Sequence, residues 1–276
     1  MMNENVNSKA DKLEATGSLM AGKKGLVMGV ANDHSIAWGI AKACAMQGAE
    51  IALTYQGEAY EKRVRGLASK LGSNICLPCN VEDESSCEAV FQSLKQEWGE
   101  LDFLVHAIAF SDKDELTGRF IDGSRQNFLR SMDISCYSLT QLCKLAEPLL
   151  NDGGSVLTLS YEGAQRVMPN YNVMGVAKAA LEASVRYLSH DLGVKGVRVN
   201  AISAGPMRTL AGSAVGGARF SYNWQGKSSA LGRNLNLDDV GPSALYLLSG
   251  LGGGVTGEVL YVDGGYHMIG MAIPKS

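Results

Sequence analysis

Apolar runs and helical patterns alternate along this sequence, and that alternation restricts the fold more than any other feature. The first four runs, each of strand length, are Lys24–Val30, Ile51–Tyr55, Ile75–Cys79 and Asp102–Ala107. A segment of helical periodicity follows each of the first three. Strands joined by helical crossovers lie parallel and wind in the right-handed sense. The pattern therefore predicts a parallel sheet with helices packed on it.

The alternation continues after a polar loop at 111–123. Further strands are predicted at Gly154–Ser160, Val197–Ser203 and Gly257–Asp263, which brings the total to about seven. Further helices are predicted at about Ser124–Leu150, Pro169–Leu192 and Leu237–Ser249. The predicted fold class is α/β, a Rossmann-like doubly wound parallel sheet with helices on both faces.

Composition fits one large domain and argues against several kinds of partner. The 276 residues are 46% hydrophobic and 19% charged, which is ample for a sizeable core. Residues 1–22 are polar and mixed in charge, so we assign them to a flexible lead-in and 23–276 to a single domain. A net charge of −3 without a basic block argues against nucleic acid and anionic membranes as partners. With no apolar run long enough to span a membrane, a cytoplasmic protein is expected.

The six cysteines and four histidines show no spacing typical of a metal site. The cysteines lie in apolar surroundings, which predicts buried, reduced thiols. Cys76 and Cys79 have the spacing of a redox motif. That motif works at the start of a helix, whereas these two end an apolar strand and should point to opposite faces of the sheet. We therefore expect neither a metal nor redox chemistry.

Residues 160–178 carry the most reactive groups of the sequence. They place two phenols, Tyr161 and Tyr171, and the amine of Lys178 at a junction of strand and helix, where open α/β sheets bind ligands. The helix should begin near Pro169–Asn170, with the asparagine as its cap. On a helix, a spacing of seven residues falls only ~20° short of two turns, so one ligand could contact Tyr171 and Lys178. Taken alone, such a pair is more often a surface tyrosine and a solvated lysine.

The turn between the first strand and the first helix is typical of a nucleotide site. It runs from Gly29 to Ile36, and backbone N–H groups at such a helix start can hold a pyrophosphate. It departs from the pattern G-x-G-x-x-G, because Ala31 stands where the second glycine would. Ser35 is placed to cap the helix and to hydrogen-bond the phosphates. By itself the turn is weak evidence, since many strand-to-helix turns contain a glycine and a serine.

The end of the second strand predicts the cofactor. An acidic residue there accepts a hydrogen bond from the adenosine ribose of NAD, whereas an arginine holds the 2′-phosphate of NADP. Here Gln56 is neutral, and the first arginine, Arg63, comes at least one helical turn later. The predicted cofactor is therefore NADH/NAD⁺. Asn80 and Val81 follow the third strand and are expected at the adenine.

From Ala204 to Asn236 the alternation fails. The segment is rich in glycine and serine, and irregular segments of this length are usually lids or binding loops. Residues 206–227 follow the sixth strand directly and carry an apolar side that includes Leu210 and Phe220. We predict a substrate-binding lid at about 206–227; a loose surface loop is the alternative.

The order of these features resembles the short-chain dehydrogenase/reductase superfamily over residues 23–271. The common Tyr-x3-Lys pair is absent, because Met174 stands four residues before Lys178 and Tyr171 gives Tyr-x6-Lys instead. That spacing is similar to the bacterial NADH-dependent enoyl-[acyl-carrier-protein] reductases of type II fatty-acid synthesis. The same resemblance is carried by Gly29-Val-Ala-x3-Ser-Ile-Ala-Trp-Gly, His106-Ala-Ile-Ala-Phe, Pro169-Asn-Tyr-Asn-Val-Met-Gly and Ala204-Gly-Pro-Met-Arg-Thr-Leu-Ala.

The resemblance implies roles for individual residues. Its catalytic residues correspond to Tyr161, Tyr171 and Lys178, with Ser111 and the two tyrosines near the substrate. Its nucleotide contacts correspond to Gly29, Ser35, Ile36, Gln56, Asn80, Val81, Ile108, Lys178, Met207, Arg208, Thr209, Leu210 and Ala211. Asn80 stands where the family commonly has aspartate, and Ala107-Ile108-Ala109 stands where it more often has Ser-Ile-Gly.

The resemblance also implies a reaction, the last step of the fatty-acid elongation cycle. NADH would reduce a trans-2-enoyl thioester on acyl carrier protein, in a homotetrameric enzyme. Tyr171 would donate to the developing enolate, and Lys178 would hold the nicotinamide ribose. One alternative is a carbonyl reductase, which needs a phenol where Met174 stands. The other is a nucleotide-sensing protein without catalysis, since fold alone does not imply chemistry.

Overall fold

All seven strands belong to one parallel sheet, as predicted. In this computed structural model, which describes residues 12–210, 212 and 216–271, the strand order is β3-β2-β1-β4-β5-β6-β7. The strands are β1 Lys24–Met28, β2 Glu50–Tyr55, β3 Cys76–Pro78, β4 Leu101–His106, β5 Leu150–Ser160, β6 Arg198–Ala204 and β7 Val259–Val262. The order reverses between β1 and β4, which is the doubly wound arrangement.

Helices cover both faces of the sheet, also as predicted. They are α1 Ile36–Met46, α2 Glu58–Lys70, α3 Glu84–Glu97, α4 Arg125–Met132, α5 Ser138–Ala146, α6 Asn172–Leu192, α7 Ala218–Ser228 and α8 Leu237–Leu248. One core packs α3, α5 and α6 against the sheet. The other packs α1, α2 and α8 against the opposite face. Along β1, Leu26 and Met28 enter the first core and Val27 the second, because successive side chains of a strand point to opposite faces.

The long helix predicted over 124–150 is interrupted. A π-helical segment, Asp133–Tyr137, lies between α4 and α5, and the chain leaves the helix after Ala146. At the junction, the hydroxyl of Ser138 donates to the carbonyl oxygen of Ile134 at 2.7 Å. Apolar periodicity alone does not distinguish such an insertion, since π-bulges occur inside otherwise regular helices.

The predicted start of α6 is wrong by about two residues. Asn170 and Asn172 have positive φ angles of 58° and 37°, so the backbone at Asn170 is left-handed and the helix begins only at Asn172. Their side-chain amides bind neighbouring loops: Asn170 donates to the carbonyl of Gly216 at 2.8 Å, and Asn172 to that of Leu116 at 3.2 Å. Tyr171 therefore precedes the helix, and the argument from a shared helical face does not hold.

The segment predicted as irregular, 204–236, contains helix α7. The residues of α7 that are buried are polar, Gln225 and Ser228, whereas Phe220 and Trp224 are exposed. Gln225 is fixed by a hydrogen bond from its amide to the carbonyl oxygen of Asp263, at 3.0 Å. A helix with polar anchors lacks the apolar periodicity on which the prediction depended.

The six cysteines are buried and unpaired, as predicted. Cys76 lies in one core and Cys79 in the other, on opposite faces of the sheet. Within the ranges given above, no group of side chains has the geometry of a metal site. Over the same part of the chain, no helix is long and apolar enough to cross a bilayer.

Candidate active site

The predicted site residues follow the carboxyl ends of six neighbouring strands. In a doubly wound sheet, ligands bind at this edge, beside the point where the strand order reverses. Here that point lies between β1 and β4, so the loops after these two strands form the centre of the edge. The fold therefore brings together residues that are far apart in the sequence.

The turn after β1 approaches the chain after β4 very closely. Gly29 has a φ of 97°, and a β-carbon at this position would collide with the carbonyl oxygen of Ala107. Only glycine fits, because it tolerates a positive φ and has no side chain. Ser35 does not cap α1 as predicted: its hydroxyl accepts hydrogen bonds from the N–H groups of Ala31 at 3.0 Å and Asn32 at 3.1 Å. It thus shapes the turn, and Ile36 is the first residue of α1.

The residues predicted at the adenosine half lie next to each other. The side-chain amide of Gln56 donates to the side-chain oxygen of Asn80 at 3.4 Å, across the ends of β2 and β3. Val81 is buried beside them. On α2, Arg65 pairs with Glu61 at 2.8 Å and lies over the ring of Tyr55. The guanidinium of Arg65 therefore already has a charged partner on its own helix, α2.

The two tyrosines meet in an edge-to-face contact. The ring centroids of Tyr161 and Tyr171 are 4.9 Å apart, with an angle of 74° between the planes. Burial raises the pKa of both phenols well above their ordinary value. Both are therefore protonated at neutral pH and can donate a hydrogen bond.

Lys178, on α6, carries a buried amine, with 5% of the residue's surface exposed. It donates to the carbonyl oxygen of Leu159 at 2.7 Å. Burial lowers the pKa of Lys178 to about 8, against the opposing effects of Cys136 and Glu182. Met174 is buried at the position of the common phenol, and its sulfur accepts from the hydroxyl of Ser135 at 3.7 Å. The usual Tyr-x3-Lys geometry is thus absent, as the sequence indicates.

Two residues near the site were missed by the sequence analysis. His106 is buried at the end of β4, and its ring nitrogens bond to the hydroxyls of Thr158 and Ser138, each at 2.8 Å. Burial, and then the charge of Lys178, lower the pKa of His106 to about 3, so its ring is neutral. Gly163 lies against the ring of Tyr171, where an added β-carbon would sit 2.7 Å from a ring carbon. The sequence did contain a signal for His106, because a histidine is unusual in an apolar strand. It contained no signal for Gly163.

The remaining predicted residues are more dispersed. Ser111 is held by Asn127, whose amide donates to the serine hydroxyl at 3.1 Å, and it does not line the cavity described next. Ile108 and Met207 pack against the two cores.

The predicted residues after β6 have contacts of their own. The guanidinium of Arg208 lies 4.8 Å from the centre of the Tyr222 ring. Thr209 accepts from the N–H of Gly212 at 2.9 Å, Leu210 is half exposed, and Ala211 lies outside the described residues.

A cavity of about 270 Å³ opens in front of Tyr161. The walls come from the loop after β5, from α7 and from the chain after β7, and the lining residues are Tyr161, Val167, Met168, Pro169, Pro206, Phe220, Ser221, Trp224, Gln225 and Tyr266. Most of these side chains are apolar or aromatic. The cavity therefore suits an apolar group that reaches toward Tyr161.

Known proteins share this arrangement. The sequence matches the family described as Enoyl-(Acyl carrier protein) reductase over residues 29–267. It is 61% identical over 253 residues to an enoyl-[acyl-carrier-protein] reductase [NADH] of Rhizobium meliloti, covering 92% of this chain and 94% of that one. An enoyl-(acyl-carrier-protein) reductase of Anaplasma phagocytophilum, solved with NAD, is 58% identical with a TM-score of 0.92, over 95% of this chain and 100% of its own.

A third relative was solved with the other nicotinamide cofactor. It is the Bacillus cereus enoyl-acyl carrier protein reductase with NADP⁺ and indole naphthyridinone, 47% identical with a TM-score of 0.90, over 92% of this chain and 100% of its own. In all three comparisons the match covers nearly the whole chain. The resemblance seen in the sequence is therefore confirmed, and this chain belongs to the enoyl-(acyl carrier protein) reductase family.

Proposed function

We propose that this protein reduces trans-2-enoyl thioesters on acyl carrier protein with NADH, and that Tyr171 and Lys178 are the residues that carry the reaction. One observation supports these roles above all: two protonated phenols meet after β5, a buried amine binds the end of the same strand, and Met174 occupies the place of the usual phenol. The reaction class agrees with the family to which the chain belongs.

The carboxyl edge of the sheet fits a dinucleotide. The turn after β1 leads directly into α1, and the side chain of Ser35 does not cap the first N–H groups of this helix, so these groups can hold a pyrophosphate. Gln56, Asn80 and Val81 would hold the adenosine half, and Ile108 and Met207–Leu210 the nicotinamide half. When bound, NADH supplies the hydride that the β-carbon of the substrate receives.

Tyr171 acts on the oxygen of the thioester. As the β-carbon gains a hydride, negative charge moves to this oxygen, and a phenol that donates to it stabilises the enolate. The raised pKa of Tyr171 keeps the phenol protonated for this task. Tyr161 packs edge to face against Tyr171 and lines the cavity, so it limits the positions that the acyl group can take.

Lys178 orients the cofactor. Its amine donates to the carbonyl oxygen of Leu159, two residues before Tyr161 on the chain, which fixes its direction. In its charged form it would donate to the ribose hydroxyls and so align the nicotinamide with the substrate.

One assay separates the candidate reactions. NADH oxidation is followed with crotonyl-CoA, with a simple ketone and without an acceptor. We expect turnover with the enoyl thioester alone. Turnover with the ketone would indicate a carbonyl reductase instead, and binding of NADH without any turnover would indicate a nucleotide-sensing protein.

The first prediction is a higher kcat/KM with NADH than with NADPH. Gln56 offers no charge to a 2′-phosphate, and Arg65 is held by Glu61 and Tyr55. The Glu61→Gln variant should be measured beside it. This change releases Arg65, so the ratio of kcat/KM with NADH to kcat/KM with NADPH should fall. Equal values in the unmodified protein would mean that an arginine of α2 reaches the cofactor, and the assignment of this strand end would then be wrong.

We infer that residues 23–276 form one reductase domain and that 206–227 is its lid. The cavity supports this, since Phe220, Ser221 and Trp224 of α7 form one of its walls. A hydrogen bond from Asn170 to Gly216 joins the proposed lid to the residue before Tyr171. Closure over a substrate would therefore act directly on the chain that carries the donor phenol.

The second prediction concerns this lid. Amide hydrogen exchange in residues 208–227 should slow when NAD⁺ and an enoyl analogue are both bound, because closure excludes water from the cavity. Exchange in residues 90–97 serves as the internal control, because this C-terminal half of α3 points away from the carboxyl edge of the sheet. Equal exchange in all states would leave the segment as a connection only.

The proposed setting is cytoplasmic, with acyl carrier protein as the substrate carrier and a homotetramer as the assembly. Large side chains on α6 and on the helices before it support self-association: Leu129, Tyr137 and Tyr187 are 55%, 57% and 76% exposed. Exposed apolar surface of this kind marks interfaces.

A further inference from the structure

A chain of polar contacts joins the loop after β5 to the chain after β7. It starts at Glu162, the residue after Tyr161, which is only 4% exposed. One carboxylate oxygen of Glu162 pairs with the guanidinium of Arg166 at 3.0 Å. The other has no hydrogen-bond partner among the described residues. Arg166 is thus the partner on which this buried carboxylate depends.

Arg166 also binds the chain after β7. Its guanidinium donates to the carbonyl oxygen of His267. The carboxylate of Asp263, 4% exposed, accepts from the backbone N–H groups of Gly265 at 2.8 Å and His267 at 2.8 Å, and from the ring of His267 at 3.0 Å. The ring of Tyr261 stacks on that of His267, with centroids 4.0 Å apart. The segment 263–267 is therefore a rigid turn, and Arg166 is fastened to its end.

Two walls of the cavity belong to the segments that Arg166 joins. Tyr161, Val167 and Met168 lie on its own loop, and Tyr266 lies on the turn 263–267. The carbonyl of Asp263 accepts from Gln225, so the turn also holds α7. Because the guanidinium is planar and donates in two directions at once, it fixes the distance between the two walls.

We propose that Arg166 is a positioning residue that sets the width of the acyl cavity, and with it the affinity for long enoyl chains. This inference rests on the proposed enoyl reductase function. Arg166 does not line the cavity, so it acts by setting the position of Tyr266, on the far wall, relative to Tyr161, which is held by its contact with Tyr171. The affinity for substrates too short to reach both walls should not depend on Arg166.

The test compares chain lengths in the full-length enzyme. We expect Arg166→Met to raise KM for dodecenoyl-CoA about tenfold, the effect of leaving roughly two methylene groups of the chain unburied. kcat, KM for NADH and KM for crotonyl-CoA should stay within about twofold, since none of them depends on the far wall. Arg166→Lys keeps the charge but cannot donate as a planar fork, and it should restore part of the affinity.

Arg233→Met is the matched control. The side chains of Arg233 and Arg166 are 49% and 50% exposed, and Arg233 also pairs with a carboxylate, that of Asp239. Arg233→Met should leave KM for dodecenoyl-CoA and KM for crotonyl-CoA unchanged. If Arg166→Met folds poorly, the double variant Glu162→Gln/Arg166→Met removes the uncompensated buried charge and still lacks the connection, so the same chain-length dependence is expected.

A second measurement does not depend on turnover. In Arg166→Met, hydrogen exchange should rise in 161–168 and in 263–267 together, although only the first segment carries the change. Equal effects on short and long substrates, a loss of kcat alone, or exchange that rises only in 161–168 would each overturn the proposal. If the unmodified enzyme reduces neither thioester, the proposed function fails, while the exchange result still decides whether Arg166 joins the two walls.

Discussion

Tyr171→Phe is expected to lower kcat for an enoyl thioester by roughly 10²- to 10³-fold, the effect of removing one donor to a developing oxyanion. The phenylalanine keeps the edge-to-face contact with Tyr161, so the cavity should keep its shape. KM for NADH should change little. The measurement is steady-state kinetics with crotonyl-CoA and NADH at neutral pH.

Two further variants decide whether this loss is specific. Tyr187→Phe removes a phenol that is 76% exposed on α6 and should behave like the unmodified enzyme. Met174→Leu changes the residue at the usual phenol position and should cost little, since it removes no donor to the substrate. If Met174→Leu proves the more damaging change while the protein stays folded, the Tyr-x6-Lys assignment is wrong.

Lys178→Met is expected to weaken NADH binding by roughly 10- to 100-fold and at the same time to stabilise the cofactor-free protein. The first effect is the loss of charged hydrogen bonds to the ribose. The second arises because burial lowers the pKa of Lys178 from 10.5 to about 8. A shift of this size corresponds to about 3 kcal/mol against the charged amine in the folded protein, part of which is offset by the lost donor to Leu159.

The pH dependence identifies the source of that stabilisation. Between pH 8 and 10.5 the unfolded chain binds the proton of Lys178 more tightly than the folded chain does, so stability of the unmodified protein should rise with pH in this window. The advantage of Lys178→Met should therefore be full below pH 8 and shrink toward pH 10.5. Urea unfolding at several pH values measures it, with Lys144→Met, an exposed lysine of α5, as the control. A gain in stability that does not vary with pH would mean that packing, and not the charge of Lys178, is its cause.

The sheet could be predicted from the sequence because its strands are simple. A parallel strand that is buried on both faces is a short apolar run, and a helix between two such runs implies a crossover. The runs at β1, β2 and β4 match the predicted strands to within two residues at either end. The family and its reductase chemistry were predicted as well, because the spacing of Tyr171, Met174 and Lys178 can be counted directly.

The site geometry could not be predicted where distant segments determine it. The left-handed backbone at Asn170 is held by Gly216, and α7 is anchored through polar Gln225, so neither leaves a local pattern. The contact of Gly163 with Tyr171 and the pairing of Arg166 with the turn after β7 arise only in the folded chain. These are the features that place the predicted residues.

Helix α7 has an unusual distribution of surface, and this affects the heat capacity of the protein. Phe220 and Trp224 are 63% and 51% exposed, while the residues that anchor the helix are polar. A typical amphipathic helix removes its apolar face from water when the chain folds, and the heat capacity falls at that stage. If an acyl chain covers the two rings, as proposed for the cavity, much of that fall would come with substrate binding instead. Long substrates should therefore bind with a large negative heat-capacity change, and their binding enthalpy should change with temperature more steeply than that of short ones.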